Sequence, residues 1–297
     1  MPADGGTGFD RVVGFSVPGR NVRGRVVRLG PVLDEVLSAH EYPLAIRHLL
    51  AEALVVTALV GSLLKDDDGQ ITLQAQTEAG VVDLLVCDYR AGELRGHVRH
   101  DADKLSLLGA NPSLFALFGK GYLAITFDLS STGQRYQGIV PLEGDSLASA
   151  CAAYFAQSEQ IPTLFRVGVR ESAGRSIAGG MLMQHLPAGE EGRGRLQVEM
   201  DHPDWEHAAI LGGSIRHDEL VDADLSLEAM IWRLFHEEPE VRAVALSALS
   251  RGCRCSVEHY RTILSRFPEA ERSEMRDENG QILVDCAYCS KVFQIEL

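Results

Sequence analysis

The sequence predicts a mixed helix-and-strand body, then an acidic stretch, then a small cysteine-rich tail. Three observations carry that expectation. Short β-type runs alternate with helical patterns up to Pro187. Composition shifts just after it, where AGEEGRGR (188–195) is polar and glycine-rich. Four of the six cysteines fall in the last 45 of 297 residues. That length suggests about two domains.

Taken in order, residues 8–38 read as strand-rich, with FDRVVGFSV and GRVVRL broken by Pro18 and Gly19. A long apolar helix is expected from Pro43 to about Leu64, with proline suited to the first turn. DDDGQ (66–70) reads as a turn. ITLQAQT (71–77) sets Ile71, Leu73 and Ala75 against polar neighbours, the period of a half-buried strand. VVDLLVCDY (81–89) reads as its hairpin partner. GYLAITFDL (121–129) and RYQGIVPL (135–142) flank STGQ as a second hairpin. In 146–157, Leu147, Ala150, Cys151, Tyr154 and Phe155 share one helical face. AGGMLMQHL (178–186) is apolar and fits either strand or helix. Leu227, Met230, Ile231, Leu234 and Phe235 form a helical stripe stopped by Pro239, an apolar face that must dock on something. VRAVALSALS (241–250) then leads into the cysteines.

Charge narrows the function classes. The chain carries −14, a surface that repels phosphate backbones and anionic membranes, so neither nucleic acid nor membrane is the expected partner. Residues 190–240 alone hold fourteen acids against four arginines, a net −10. Asp4 and Asp10 stand where a secretory signal needs a basic end and an apolar run, which points to the cytoplasm. The most apolar stretch, 49–64, is interrupted by Glu52 and falls short of the ~18–20 residues that span a bilayer. It reads as a buried helix.

The cysteines carry the chemistry. Cys253-Arg-Cys255 is followed thirty residues later by Cys286-Ala-Tyr-Cys289. Cytosolic thiols are kept reduced, so two close pairs argue for a metal rather than for structural disulfides. Four thiolates around one tetrahedral zinc ion make a structural site. QILVDC (281–286) and KVFQI (291–295) read as two short strands around the second pair, with Asn279-Gly280 turning into the first. Residues 251–297 are fewer than the ~70–80 at which one core suffices. A bound zinc can supply roughly 10–16 kcal/mol of apparent folding energy. Such sulfurs are thiolates, the oxidisable form, and spacing alone leaves open whether the site is purely structural or also a switch.

Other candidates read more blandly. Cys87 and Cys151 sit on apolar faces and read as core. His202 and His207 in HPDWEH lie five apart, on different helix faces, and read as a solvated loop. FGKGY (118–122) lacks the first glycine and the Ser/Thr of a phosphate loop. No catalytic constellation is evident, and no enzyme is expected. The four-cysteine tail also suits a zinc-ribbon nucleic-acid-binding or transcription-associated protein, although 251–297 has seven basic and eight acidic residues and no basic stripe. A thiol oxidoreductase using Cys286 and Cys289 is a further reading.

The cysteine pattern, together with ITLQAQT, GKGYLAIT, RYQGIVPLEG, YFAQSEQIPT and IWRLFHEE, resembles the heat-shock protein 33 family of redox-regulated bacterial holdases. The likeness runs from about Phe9 onward; residues 1–8 lie outside it. It implies an α+β substrate-binding domain (1–188), a metastable helical linker (189–248) and a zinc-binding redox switch (249–297). It also implies an ATP-independent chaperone, inactive with one zinc ion on Cys253, Cys255, Cys286 and Cys289. On oxidation, Cys253 would pair with Cys255 and Cys286 with Cys289. Zinc would leave, the switch and linker would unfold, and the protein would dimerise and hold unfolding clients. Leu227, Met230, Ile231, Leu234 and Phe235 would then be the linker's docking face.

Overall fold

The structure, a computed structural model, describes residues 8–65, 68–130, 132–172, 174–187 and 201–296. The boundary expected at 188–195 lies outside them, as do residues 66 and 67 of the DDDGQ turn.

The chain opens with β1 (Arg11–Val17), β2 (Val22–Leu29), α1 (Pro31–Leu37) and α2 (Leu44–Gly61). It continues through β3 (Gln70–Gln76), β4 (Val82–Arg90), β5 (Glu93–His100), α3 (Ala102–Ser106) and α4 (Leu114–Phe118). Next come β6 (Tyr122–Leu129), β7 (Gln134–Pro141), α5 (Leu147–Tyr154), β8 (Thr163–Ser172) and β9 (Arg175–His185). The acidic stretch supplies α6 (Pro203–Gly213), α7 (His217–Leu220), α8 (Leu227–Phe235) and β10 (Arg242–Ala248). Beyond them lie β11 (Ser250–Arg251), α9 (Val257–Leu264), α10 (Glu269–Met275), β12 (Ile282–Asp285) and β13 (Val292–Ile295).

Two sheets sandwich α2. One is five-stranded, β10-β1-β2-β9-β8; the other is six-stranded, β11-β5-β4-β3-β6-β7. Every pairing is antiparallel except β11 with β5. α2 is long and apolar enough to cross a membrane, but 72% of it is buried in the body, packed by both sheets. Its β-branched run Val55-Val56-Thr57 is a poor helix former, and burial outweighs propensity there. Thr57 satisfies its hydroxyl by donating to the Ala53 carbonyl at 2.7 Å. Glu52, the charge inside the apolar run, accepts from the Ala148 N–H at 2.9 Å and so caps the start of α5. Burial raises its pKa despite that bond.

Strand alternation builds two cores. Inward residues such as Val12, Val27, Leu29, Ile71, Leu73, Ala75 and Leu182 meet α2 and α5. Outward residues of the five-stranded sheet, Val13, Phe15, Val17, Val22, Val26, Met181 and Met183, meet α6, α7 and α8. The acidic stretch is therefore a helical layer on that sheet. Leu227, Met230, Ile231 and Phe235 are buried beneath it, and Leu234 packs partly buried beside them. The rings of Phe15 and Phe235 lie 5.6 Å apart.

The structure departs from the sequence expectations in four places and decides one that the sequence left open. Residues 242–248 fall inside the stretch expected to be a helical linker, yet they form β10, pairing Val13 with Ala245 and Phe15 with Ala243. The open edge of β1 needs hydrogen-bond partners, and an alternating RAVALSA meets that need with little burial of its own. HPDWEH, expected as loop, begins α6: the His202 ring accepts from the Asp204 N–H at 3.2 Å, and Pro203 fills the first helical position. The undecided 178–186 is strand, because β9 lies between β2 and β8. Within 8–38, residues from Pro31 turn into α1. Pro43 precedes α2 as its cap rather than opening its first turn.

Candidate metal centre

Cys253 and Cys255 lie in the loop that leaves β11. Ser250 and Arg251 are stitched to β5, and the Gly252 N–H donates to the Leu94 carbonyl at 2.9 Å, so this loop starts from a fixed point on the body. Cys286 ends β12. The Cys289 and Ser290 N–H groups both donate to its carbonyl, at 3.2 and 2.8 Å, and Cys286 donates to the Lys291 carbonyl at 3.0 Å. Ser290 takes a left-handed backbone, φ 55°, to close this turn. β12 and β13 pair Ile282 with Ile295 and Asp285 with Val292, which brings Cys289 back over Cys286.

The two loops meet. Cys253 Sγ stands 3.2 Å from Cys255 Sγ and 3.5 Å from Cys286 Sγ, and Cys255 Sγ stands 3.4 Å from Cys289 Sγ. All four sulfurs lie within 4.8 Å of one another and could hold a metal ion. A tetrahedral ion with bonds of about 2.3 Å would set its sulfurs about 3.8 Å apart, so the donor set and its spacing fit one ion. All six cysteines are free thiols. Cys286 is buried, while Cys253, Cys255 and Cys289 are half-buried and within reach of small solutes. Burial opposes ionisation at Cys286. The Tyr260 hydroxyl and the N–H groups of Tyr288 and Cys289 outweigh it and bring that thiol down to about 6. Burial pushes Cys253 and Cys255 up. Cys87 and Cys151 are fully buried in the main core, where burial raises both.

The tail carries little core of its own. Among the described residues its cluster is Leu264, Ile282 and Ile295, with Tyr260, Val284 and Phe293 partly buried around them. Three buried side chains at about 1.5–3 kcal/mol apiece fall well short of the cost of ordering such a segment. Four sulfurs on one ion would make up that deficit.

The tail docks on the polar face of the six-stranded sheet. Register places Thr72, Asp88 and Arg95 in one row across β3, β4 and β5. Asp88 is 3% exposed and accepts from Thr72 Oγ1 at 2.6 Å and from Arg95 Nε at 2.7 Å. Tyr288, between the two cysteines of the second pair, donates its hydroxyl to Asp88 at 3.2 Å. Its ring lies under the Arg95 guanidinium at 4.1 Å. Arg254, between the cysteines of the first pair, donates to Gln70 Oε1 at 2.6 Å. Each cysteine pair thus holds one residue that grips the body. The sequence hinted at this through an aromatic inside Cys-x-x-Cys and a lone carboxylate late in an apolar strand, but neither names its partner. Tyr288→Phe should weaken the docking by about 1 kcal/mol. Amide exchange over 286–290 is then expected to quicken about fivefold, against no change in the α2 core.

A second contact is built from histidines. Ala287 presents its carbonyl to His40 Nε2 at 2.8 Å, and Ser290 Oγ donates to the Ala39 carbonyl at 2.6 Å. His40 lies 5.0 Å from the His97 ring, whose Nδ1 faces the Tyr42 hydroxyl at 3.0 Å. Burial first, then repulsion from His40 and Arg99, holds His97 down at about 4. The folded state therefore prefers neutral His97. Its contribution is complete above the ordinary histidine value and is lost as pH falls from about 6.5 toward 4. Protection of the β5 amides, taken relative to their intrinsic exchange rate at each pH, should fall through that window, and His97→Gln should flatten the pH response.

Comparison with known proteins places this geometry. A family model described as Hsp33 protein matches residues 10–296. The 33 kDa chaperonin of Caulobacter vibrioides is 38% identical over 301 residues, covering 99% of this chain and 97% of that protein. The 33 kDa chaperonin of Cronobacter sakazakii is 36% identical over 268 residues, 90% of this chain and 86% of that one. A crystal structure of the 33 kDa chaperonin (heat shock protein 33 homolog) of Thermotoga maritima shares the fold, with a TM-score of 0.76, 22% identity and coverage of 96% and 94%. With a match over nearly its whole length and relatives this similar, the chain belongs to the Hsp33 family.

Proposed function

We propose that this protein is a redox-regulated, ATP-independent holdase chaperone rather than an enzyme. One observation carries the reading: four oxidisable sulfurs form a single metal-sized cluster in a tail with almost no core of its own. The names of its relatives support a chaperone role. In this reading residues 1–188 are the substrate-binding domain, 189–248 the linker and 249–297 the switch, with β10 a strand that the linker lends to the body's sheet. The protein works in the cytoplasm, on unfolding client proteins, with neither nucleic acid nor membrane as partner.

Cys253, Cys255, Cys286 and Cys289 would hold one zinc ion. When bound, it supplies folding energy and keeps its ligands as thiolates. Hypochlorite takes two electrons from each pair. Two thiolates and one HOCl give one disulfide, one chloride and one hydroxide. As in the resemblance, Cys253 joins Cys255 and Cys286 joins Cys289. Sulfur committed to a disulfide is no longer a thiolate ligand, so the tail loses its ion and its fold. Tyr288 and Arg254 sit inside the two pairs and lose their grip on Asp88 and Gln70. β11 and β10 join the tail directly to the helical layer, so its loosening reaches α8. The freed apolar surface binds clients and a second copy of the chain.

Light scattering of a thermally unfolding client tests this. The hypochlorite-treated protein is expected to suppress aggregation at near-stoichiometric amounts while the reduced protein does not. Equal behaviour of the two forms would refute the proposal.

A further inference from the structure

The sheet face beneath α6, α7 and α8 is one-sided in charge. β1, β2 and β9 contain no acidic residue. The one acid of β8, Glu171, pairs at 3.0 Å with Arg47 of α2, on the other face. Five arginines instead reach the helical layer. Arg11 meets Glu228 at 2.8 Å, and Arg20 meets Asp204 at 2.8 Å and Glu238 at 3.1 Å. Three more donate to main-chain carbonyls. Arg28, 0% exposed, reaches Leu220 at 3.0 Å and Leu225 at 2.7 Å. Arg166 reaches Ile215 at 3.2 Å, and Arg170 reaches Val221 at 2.8 Å. The carbonyls of Ile215, Leu220 and Val221 lie at or just past the ends of α6 and α7, where a helix presents negative partial charge, and that of Leu225 lies in the turn before α8.

The cover is the complement. Residues 201–240 carry eleven acids and two arginines. Their apolar stripe fills the centre of the face, among Val13, Phe15, Val26, Met181 and Met183. The face therefore recognises three things at once: an aliphatic and aromatic stripe, carboxylates at its rim, and helix ends.

We infer that this face, once its own helices leave it, selects acidic amphipathic helical segments of client proteins. The inference rests on the chaperone reading above and names its client class. A nucleic acid would satisfy the arginines but leave the apolar centre facing water, so the combination favours a peptide.

The test uses the full-length oxidised protein and two labelled peptides. One has the sequence of residues 203–238; the other has every Asp and Glu of it replaced by Asn and Gln. The tethered helices compete equally with both, so the ratio of affinities is the readout. Fluorescence anisotropy at low salt should show the acidic peptide bound at least about tenfold more tightly. The preference should shrink at high salt and in an Arg11→Gln, Arg20→Gln double variant, whose fold is checked by circular dichroism. Equal affinities would overturn the inference. So would displacement of the acidic peptide by inorganic polyphosphate as readily as by unlabelled peptide, which would make the face a general polyanion site. Aggregation of a client distinguishes the levels. If oxidised protein still suppresses it without preferring the acidic peptide, this inference alone fails; if it neither suppresses aggregation nor binds peptide, the chaperone reading fails with it.

Discussion

Replacing Cys253, Cys255, Cys286 and Cys289 together by serine is expected to unfold the tail and leave the body standing. The four sulfurs are the one strong set of bonds the tail can make. Its buried side chains are Leu264, Ile282, Cys286 and Ile295, and its exposed surface includes Leu283 and Val292. Serine oxygens do not replace four thiolates on a borderline-soft ion. The loss corresponds to the roughly 10–16 kcal/mol that a structural zinc supplies, far beyond what a small module can absorb. Hydrogen exchange should show amides of β12, β13 and α9 losing protection, while α2 and β3 keep theirs. A strong chelator acting on the natural protein should reproduce this pattern. Survival of the β12–β13 pairing in the serine variant would refute the metal requirement.

The second large effect is expected from Phe235→Ala. Phe235 is 1% exposed and packs on Phe15, at the end of the stripe that joins α8 to the sheet. Deleting a buried phenyl ring costs about 3–5 kcal/mol. The layer is left with the rest of its stripe, Leu227, Met230 and Ile231, with the ion pairs of Arg11 and Arg20, and with three arginines on its carbonyls, while its own carboxylates repel one another. The helices should detach without oxidation, so the reduced variant should already suppress client aggregation. Amide exchange would quicken in α6 and α8 while the β12–β13 hairpin stays protected. A variant that loses stability uniformly, with no gain of holding activity when reduced, would show that the layer does not gate the surface. Leu234→Ala, at a half-buried position of the same helix, should have a much smaller effect.

These two expectations differ in how far they could be read from residues alone. The cysteine spacing pointed to one cluster, and the structure brings those four sulfurs within 4.8 Å of one another. The stripe on α8 was visible as period 3.6, and the hairpins of 71–89 and 121–142 as period 2, because side-chain direction follows directly from backbone geometry. Glu52, half-buried, looked like an interruption; it caps α5, a helix nearly a hundred residues away. HPDWEH holds a proline and early carboxylates that start a helix, a signal that its two widely spaced histidines mask.

What the sequence by itself determined is local: the periods of its strands and helices, the two close cysteine pairs of a small tail, and the excess of acid over 190–240. The tertiary structure alone decided the partners. It made 242–248 a strand because β1 had an open edge, buried Arg28 under the carbonyls of Leu220 and Leu225, and set Tyr288 on Asp88 across two hundred residues. Local propensity depends on neighbours a few positions apart, whereas edges, buried charges and docking contacts depend on groups that meet only once the chain has closed.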